Sequence, residues 1–171
     1  VTPSVYPGSM DDAQTGLSAF GQFDVRVTPM QMAMVASAIA NGGTLMKPNL
    51  IENVLSSNLA SLYQPKPVEY SKPVSPNTAK LLTEMMVKAV SSGVSGNGQV
   101  PGVRTAGKTG TAQNGENDPY TLWFTGFAPA ENAKVAVAVV IEDGGGMGQN
   151  GRGNSLAAPV ARKVMMAVLG K

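Results

Sequence analysis

The chain has 171 residues, of which 43% are hydrophobic and 14% charged, with a formal net charge of +2; one domain of this size buries roughly 70% of the surface its unfolded form exposes. This composition excludes a disordered or strongly charged module, and four Phe, four Tyr and one Trp are too few for a nucleic-acid stacking platform. No His and no Cys are present, which removes Ser-His-Asp and Cys-His catalytic units, the usual zinc ligands and thiol redox chemistry, and leaves Lys, Ser, Thr, carboxylates and backbone N–H groups.

Residues 1–22 show no strong periodicity and are punctuated by Pro3, Pro7, Gly8 and Gly16, which predicts loop with at most a turn of helix. The chain opens on this polar text without Met, so a fragment or mature segment of a longer protein is expected. Residues 27–46 are uncharged and long enough to span a bilayer. Pro29, Gln31, Asn41, Gly42 and Gly43 divide them, however, into a buried core helix and a turn. Thr28 suits its N-cap, Pro29 its first position, and 41–43 its end. Ala33, Ala36, Ser37, Ala38 and Ala40 imply close packing on a neighbour.

A strand is predicted over 50–55, followed by a crossing marked by Pro65, Pro67 and Pro73. Ser75 and Pro76 then start a second helix, with Leu81, Leu82, Met85, Met86, Ala89 and Val90 as its core face. Lys80, Glu84 and Lys88 sit opposite at four-residue spacing, each pair worth about 0.2–0.5 kcal/mol. Three strands follow at 104–113, 120–128 and 135–141; their short connections make them antiparallel. The continuously apolar 135–141 is expected to be buried on both faces. A flexible Gly-rich loop over 144–154 leads to Ser155 as a plausible cap and to a closing helix over 159–169, with Val160, Val164 and Val168 in line and Gly170 as its stop. No repeat or domain boundary interrupts the chain, so residues 1–171 read as part of one domain.

Two nucleotide-binding patterns fail on context. Gly102 through Thr109 satisfies G-x-x-x-x-G-K-[ST], but that loop needs an apolar strand before it and a helix after it. Ser- and Gly-rich text precedes it, and Gly110, Gly115 and Pro119 follow. Gly146 to Gly151 fits G-x-G-x-x-G, yet the chain ends before the acid a dinucleotide fold requires. The acid pairs Asp11-Asp12 and Glu142-Asp143 read as solvated turn ends, and the ten Met residues mostly as core filler.

The remaining chemistry lies in Lys108-Thr109-Gly110-Thr111. Gly107 and Gly110 weaken a strand and pack nothing, which suits a close approach by another backbone. An edge strand also offers free N–H and C=O groups to an extended peptide.

K-T-G is a signature of penicillin-binding proteins, beside S-x-x-K and S-D-N. Its surroundings extend the likeness: Gly21-Gln22, the run from Val27 to Ala33, Ile39 to Gly43, Ala106 to Gln113, and Trp123 to Pro129. In order and spacing these segments resemble a class B penicillin-binding protein over most of the chain. The resemblance implies an α/β (α+β) fold of the β-lactamase/transpeptidase kind, an antiparallel sheet flanked by helices, incomplete in this chain. It further implies a serine acyl-enzyme formed with a D-Ala-D-Ala stem peptide or a β-lactam, without cofactor, metal or nucleic acid.

Carried over by motif, Lys108 supplies positive charge and steers the proton path, Thr109 and Thr111 hydroxyls bind the substrate carboxylate, Gly110 lets the ligand lie against the strand, and the Thr111 backbone N–H forms half of an oxyanion hole. The departure is equally plain: no Ser is followed by Lys three residues later. The S-x-N triplets beginning at Ser56, Ser75 and Ser95 fall in loop text or at a helix start and are left unassigned. The expected partner is therefore an N-terminal part of the same transpeptidase, bearing the serine and a membrane anchor and placed at the extracytoplasmic face of the bacterial membrane. A nucleotide-loop fragment and a noncatalytic penicillin-recognising sensor are the alternatives.

Overall fold

Leu122, Phe124 and Phe127, the largest fully buried apolar side chains, lie on one strand, and that strand organises the computed structural model, which describes residues 3–171. This central strand, β6 (Thr121–Ala128), pairs antiparallel with β5 (Ala106–Ala112) and with β7 (Val135–Ile141), in the order β5-β6-β7. The register sets Gly110 opposite Trp123 and Thr109 opposite Phe124. Because strand side chains alternate, Phe124 and Phe127 point to opposite faces.

Each face has its own core. Helix α4 (Ala157–Leu169) places Ala157, Ala158, Ala161 and Met165 in one cluster with Phe124, Val100 and Val137. Helices α2 (Pro29–Ala40) and α3 (Pro76–Ser91) bring Ala36, Met86 and Val87 to Phe127 and Ala106 on the other face. The Phe124 ring fits only because glycine lies beside it. A Cβ at Gly98 would come within 2.5 Å of the ring and one at Gly107 within 2.4 Å.

The helix signals act as the sequence predicts. Thr28 Oγ1 accepts the Gln31 N–H at 3.1 Å, and Ser75 Oγ accepts the Thr78 N–H at 3.1 Å. After α2 the chain turns through Gly43, at φ +92°, where a Cβ would meet the Val74 carbonyl at 2.3 Å. Arg104, just before β5, joins Glu84 of α3 to Glu131 of the β6–β7 turn. Hydrogen bonds first to Glu131 and then to Glu84 raise its guanidinium above its ordinary pKa.

Several expectations need correction. The stretch predicted as loop over 1–22 contains α1 (Asp12–Ser18), two turns long, held by a capping box between Asp11 and Gln14; Val1 and Thr2 of that prediction lie outside the described residues. Asp11 is therefore a cap, not merely a solvated turn end. The predicted strand over 50–55 shrinks to β2 (Val54–Leu55), which pairs with β3 (Ser61–Tyr63). Asn49 accounts for this: its side chain accepts the Ile51 N–H at 3.1 Å and donates to the Ile51 carbonyl at 2.7 Å, closing a local turn that competes with a ladder. Two further short strands, β1 (Leu45–Met46) and β4 (Glu69–Ser71), pair with each other.

The helix faces differ as well. On α3, Ala79 and Val87 are buried with Met86 and Val90, whereas Leu81 and Met85 are exposed. Glu84 is drawn to Arg104, and among the described residues it makes no ion pair with Lys80 or Lys88. Helix α4 starts at Ala157 after Leu156, without a side-chain cap, so Ser155 is not the cap; Val160, Val164 and Val168 face outward. Helices pack on both faces of β7, but as an outer strand it is half-buried, with only Val137 fully covered. Met86 and Met165 are core residues, while Met30, Met85 and Met147 are exposed.

The glycine packing gives a paired test. Gly98→Ala should overpack the Phe124 ring and lower stability by about 1–3 kcal/mol. Gly16→Ala, inside α1 and facing open space, should raise it by about 0.4–1 kcal/mol. Denaturant unfolding of the intact polypeptide reads both signs.

Candidate active site

The motif strand β5 lies at an edge of the three-stranded sheet. Its register puts Gly107, Thr109 and Thr111 on the α4 face, with Phe124, and Ala106, Lys108 and Gly110 on the α2 face, with Phe127. Lys108 is exposed, and its Nζ donates to the Thr109 carbonyl at 2.5 Å. The Thr109 N–H donates to Ser95 Oγ at 3.1 Å, and the two hydroxyls lie 3.3 Å apart. That amide therefore points away from β6, and the two-residue repeat of an antiparallel ladder turns the Thr111 N–H the same way.

The Gly-rich segment after β7 packs beside the strand. It is not the loose loop the sequence suggests: it folds as two 3₁₀ turns, Asp143–Gly146 and Gly148–Asn150, and the Gly144 N–H donates to the Tyr120 carbonyl at 2.7 Å. Glycines there reach φ +61° and +62° at Gly144 and Gly145, a region costly to other residues. Gln149 Nε2 donates to the Glu116 and Asp118 carbonyls at 2.7 and 3.1 Å, tying the β5–β6 turn to this segment.

At Gly153 the segment meets the sheet. Its N–H reaches Thr111 Oγ1 at 3.5 Å, and a Cβ there would stand 2.4 Å from the Trp123 carbonyl and 2.5 Å from that of Gly110. The close backbone approach expected at Gly110 is thus made by the chain's own Gly153. Gly107, expected to serve the same purpose, instead makes room for the Phe124 ring.

Beside this contact opens a cleft of about 1230 Å³, lined by Lys108, Thr109, Gly110 and Thr111 together with Arg152, Gly153 and Asn154. A smaller cavity of about 570 Å³ adjoins the same strand on the α2 face, next to Trp123 and Thr125. Lys108 and Arg152 outnumber Glu116 among the charged residues of the larger cleft, so it favours an anionic ligand. Arg152 Nη1 donates to the Gln149 and Gly151 carbonyls at 2.7 Å each, and its guanidinium lies 5.8 Å from the centre of the Tyr120 ring.

Sequence reasoning placed Lys108, Thr109, Gly110 and Thr111 together on this edge. It missed Arg152, Asn154 and Ser95, which reach the strand from segments 40 or so residues away on one side and about 14 on the other. The signal for Arg152 and Asn154 was the dense glycine text between β7 and α4, and for Ser95 the S-x-N triplet left unassigned above. Lys108-Thr109 lies inside a strand that is followed by a turn and another strand, so the helix that a phosphate-binding loop requires is not there. Among the described residues no acid cluster could hold a metal. Ser155 lines the cleft, but no Lys lies three residues beyond it.

Comparison with known proteins identifies the family. The family profile of the penicillin binding protein transpeptidase domain matches residues 3–166. Peptidoglycan D,D-transpeptidase PbpA of Mycolicibacterium smegmatis is 42% identical over 94% of this chain, and that of Mycobacterium tuberculosis 40% over 93%; in both the match covers 33% of the relative. Stage V sporulation protein D of Bacillus subtilis is 32% identical over 92% of the chain and 24% of its own length. Among solved structures, penicillin-binding protein A from M. tuberculosis as a ceftriaxone acyl-enzyme complex superposes with a TM-score of 0.91 at 39% identity, over 99% of this chain and 38% of that one. Its penicillin G acyl-enzyme complex gives 0.86 at 38% identity, over 99% and 38%. The chain spans about a third of the length of the relatives it matches. It belongs to the penicillin-binding protein transpeptidase family, as the resemblance in its motifs implied, and its helix-flanked antiparallel sheet is that family's fold.

The contact at Gly153 can be tested directly. Gly153→Ala would drive a methyl group into two carbonyls that cannot move without the sheet, and should lower stability by about 1–3 kcal/mol. The expected readout is a reduced melting temperature together with faster hydrogen exchange over 144–155 in the intact polypeptide.

Proposed function

We propose that this member of the penicillin-binding protein transpeptidase family is the C-terminal part of a serine D,D-transpeptidase domain, supplying the ligand-binding wall to a nucleophile carried elsewhere in the same polypeptide. The observation that carries the reading is the β5 edge. It holds a lysine, two threonine hydroxyls and an outward-turned Thr111 amide against one open cleft.

In this reading a serine Oγ from an N-terminal part attacks the carbonyl carbon between the two terminal D-alanines of a peptidoglycan stem peptide. The Thr111 N–H donates to the oxygen as it becomes negative, and losing one such donor raises the barrier by about 2.7–4 kcal/mol. The C–N bond breaks, D-alanine leaves with its amine protonated, and the ester that remains is opened by the amine of a neighbouring stem. A β-lactam enters the same sequence through its ring carbonyl and remains as a stable ester.

Lys108 supplies the charge that draws the ligand carboxylate to this wall and biases the proton path around the serine. Thr109 and Thr111 hydroxyls donate to that carboxylate, with charge-assisted bonds worth about 1.5–3 kcal/mol each. Gly110 presents no side chain to the ligand. The absence of any Ser-x-x-Lys in the sequence, and relatives about three times as long, support assigning the nucleophile to the N-terminal part. Without that part the segment is inactive. The whole protein works at the extracytoplasmic face of the cell membrane, where peptidoglycan is built, and its anchor belongs to the same N-terminal part.

Fluorescent penicillin is the test. The full polypeptide should take up label that survives denaturation, and this segment alone should take up none. A protein that binds penicillin only reversibly would lose the label and would be a sensor. Lys108→Ala in the full polypeptide should cut labelling by about a hundredfold or more with the melting temperature unchanged, since Lys108 is exposed and contributes no core contact. Undiminished labelling would remove Lys108 from the site.

A further inference from the structure

Ser95 carries a fully buried hydroxyl placed against the motif strand. It belongs to the loop after α3, and three contacts fix it there. The Ser95 N–H donates to the Ala89 carbonyl at 3.0 Å, capping the end of the helix. Gly98 sits flush on the Phe124 ring. Asn97 locks the loop to the Gly-rich segment, its N–H donating to Asn154 Oδ1 and its Nδ2 to the Asn154 carbonyl, each at 3.0 Å.

From this position Ser95 Oγ accepts the outward N–H of Thr109 at 3.1 Å. Its own proton is then free for Thr109 Oγ1, 3.3 Å away, which leaves the Thr109 hydroxyl proton available to the cleft. The outward carbonyl of Thr109 is taken by Lys108 Nζ at 2.5 Å. Nearer the start of the strand, Ala106 and Gly107 are buried, with Val90 of α3 beside Gly107. Gly107 is thus shut off by burial and the outward N–H and C=O of Thr109 are taken from within the chain, and Thr111 is the next residue whose backbone faces outward.

We propose that Ser95 is a positioning residue for the transpeptidase site: it fills the edge at Thr109, so that an extended ligand can join the sheet only at Thr111, and it orients the Thr109 hydroxyl to donate into the cleft. This rests on the function proposed above. The physical basis is that an edge strand pairs with whatever free N–H and C=O groups it displays, and one occupied pair shifts the permitted register by two residues. A ligand held two residues off places its reacting carbonyl about 6–7 Å from the Thr111 amide, beyond any hydrogen bond.

The test uses the full polypeptide and compares Ser95→Ala with Ser95→Thr, which keeps the hydroxyl. Stopped-flow penicillin kinetics should show Ser95→Ala lowering the acylation rate constant about ten- to a hundredfold, with the affinity before acylation changed less than about threefold, as expected for misplacement of the reacting groups. Ser95→Thr should recover most of that rate. Hydrogen exchange gives a second readout that needs no turnover. The Thr109 amide should be protected in the free protein and exposed in Ser95→Ala, while the Thr111 amide should become protected only on acylation.

A lower melting temperature with an unchanged acylation rate, or a Thr109 amide that exchanges freely in the unaltered protein, would overturn the proposal. If the unaltered full polypeptide takes no covalent label, the transpeptidase reading falls by itself, and exchange at Thr109 still decides whether Ser95 occupies that edge.

Discussion

The seating of the Phe124 ring is the constraint on which the rest of the structure depends. A fully buried phenylalanine contributes about 3–5 kcal/mol as judged by truncation, and this one sits at the centre of the sheet with α4 across it. The ring is reached by Gly98 from the loop after α3 and by Gly107 from β5. One side chain thus fixes the position of the motif strand, the helix behind it and the loop that carries Ser95. The strand and the loop come close because Gly107 and Gly98 have no Cβ to keep them away, and the helix through its small alanines.

Function follows from how the β5 edge is treated. Edge strands display unpaired polar groups and are commonly blocked. Here the block is selective: α3 and its loop cover the start of the strand and take up the Thr109 N–H, and the cleft opens along Lys108 to Thr111. The same selectivity explains the Gly-rich segment after β7. It lies against Gly110 through Gly153 and brings Arg152 to the lining of the cleft. The polar clamps Asn97–Asn154 and Gln149–Glu116 tie that segment to the loop after α3 and to the β5–β6 turn.

The helix faces departed from the expected ones for one reason. Apolar residues at helical spacing occur on more than one face of α3 and α4, and periodicity alone does not say which face a sheet covers. On α4 the small residues Ala157, Ala158 and Ala161 face the sheet because the helix packs close to Phe124, which leaves the valine line outside. On α3, Glu84 is drawn to Arg104 and the helix presents Val87 instead of Leu81 to the core. The loop predicted over residues 1–22 failed differently. The Asp11–Gln14 capping box was present in the text, but the short segment behind it has too few apolar residues to show a period.

The sequence by itself determined the local elements and the chemistry available. Caps at Thr28 and Ser75, the three strands and their antiparallel order, the exclusion of histidine, thiol and zinc chemistry, and the Lys108-Thr109-Gly110-Thr111 edge with its family all follow from residue types acting within a few positions of one another. Only the tertiary structure decided what the glycines are for, which helix faces are buried, and which residues join the motif strand. Gly107 serves a ring that lies 17 residues on, Gly110 is met by Gly153, and Ser95 becomes a partner of Thr109 through a loop held in place by Asn154. These are contacts between segments distant in the chain. Their geometry is set by packing around Phe124, and no local pattern of residues encodes it.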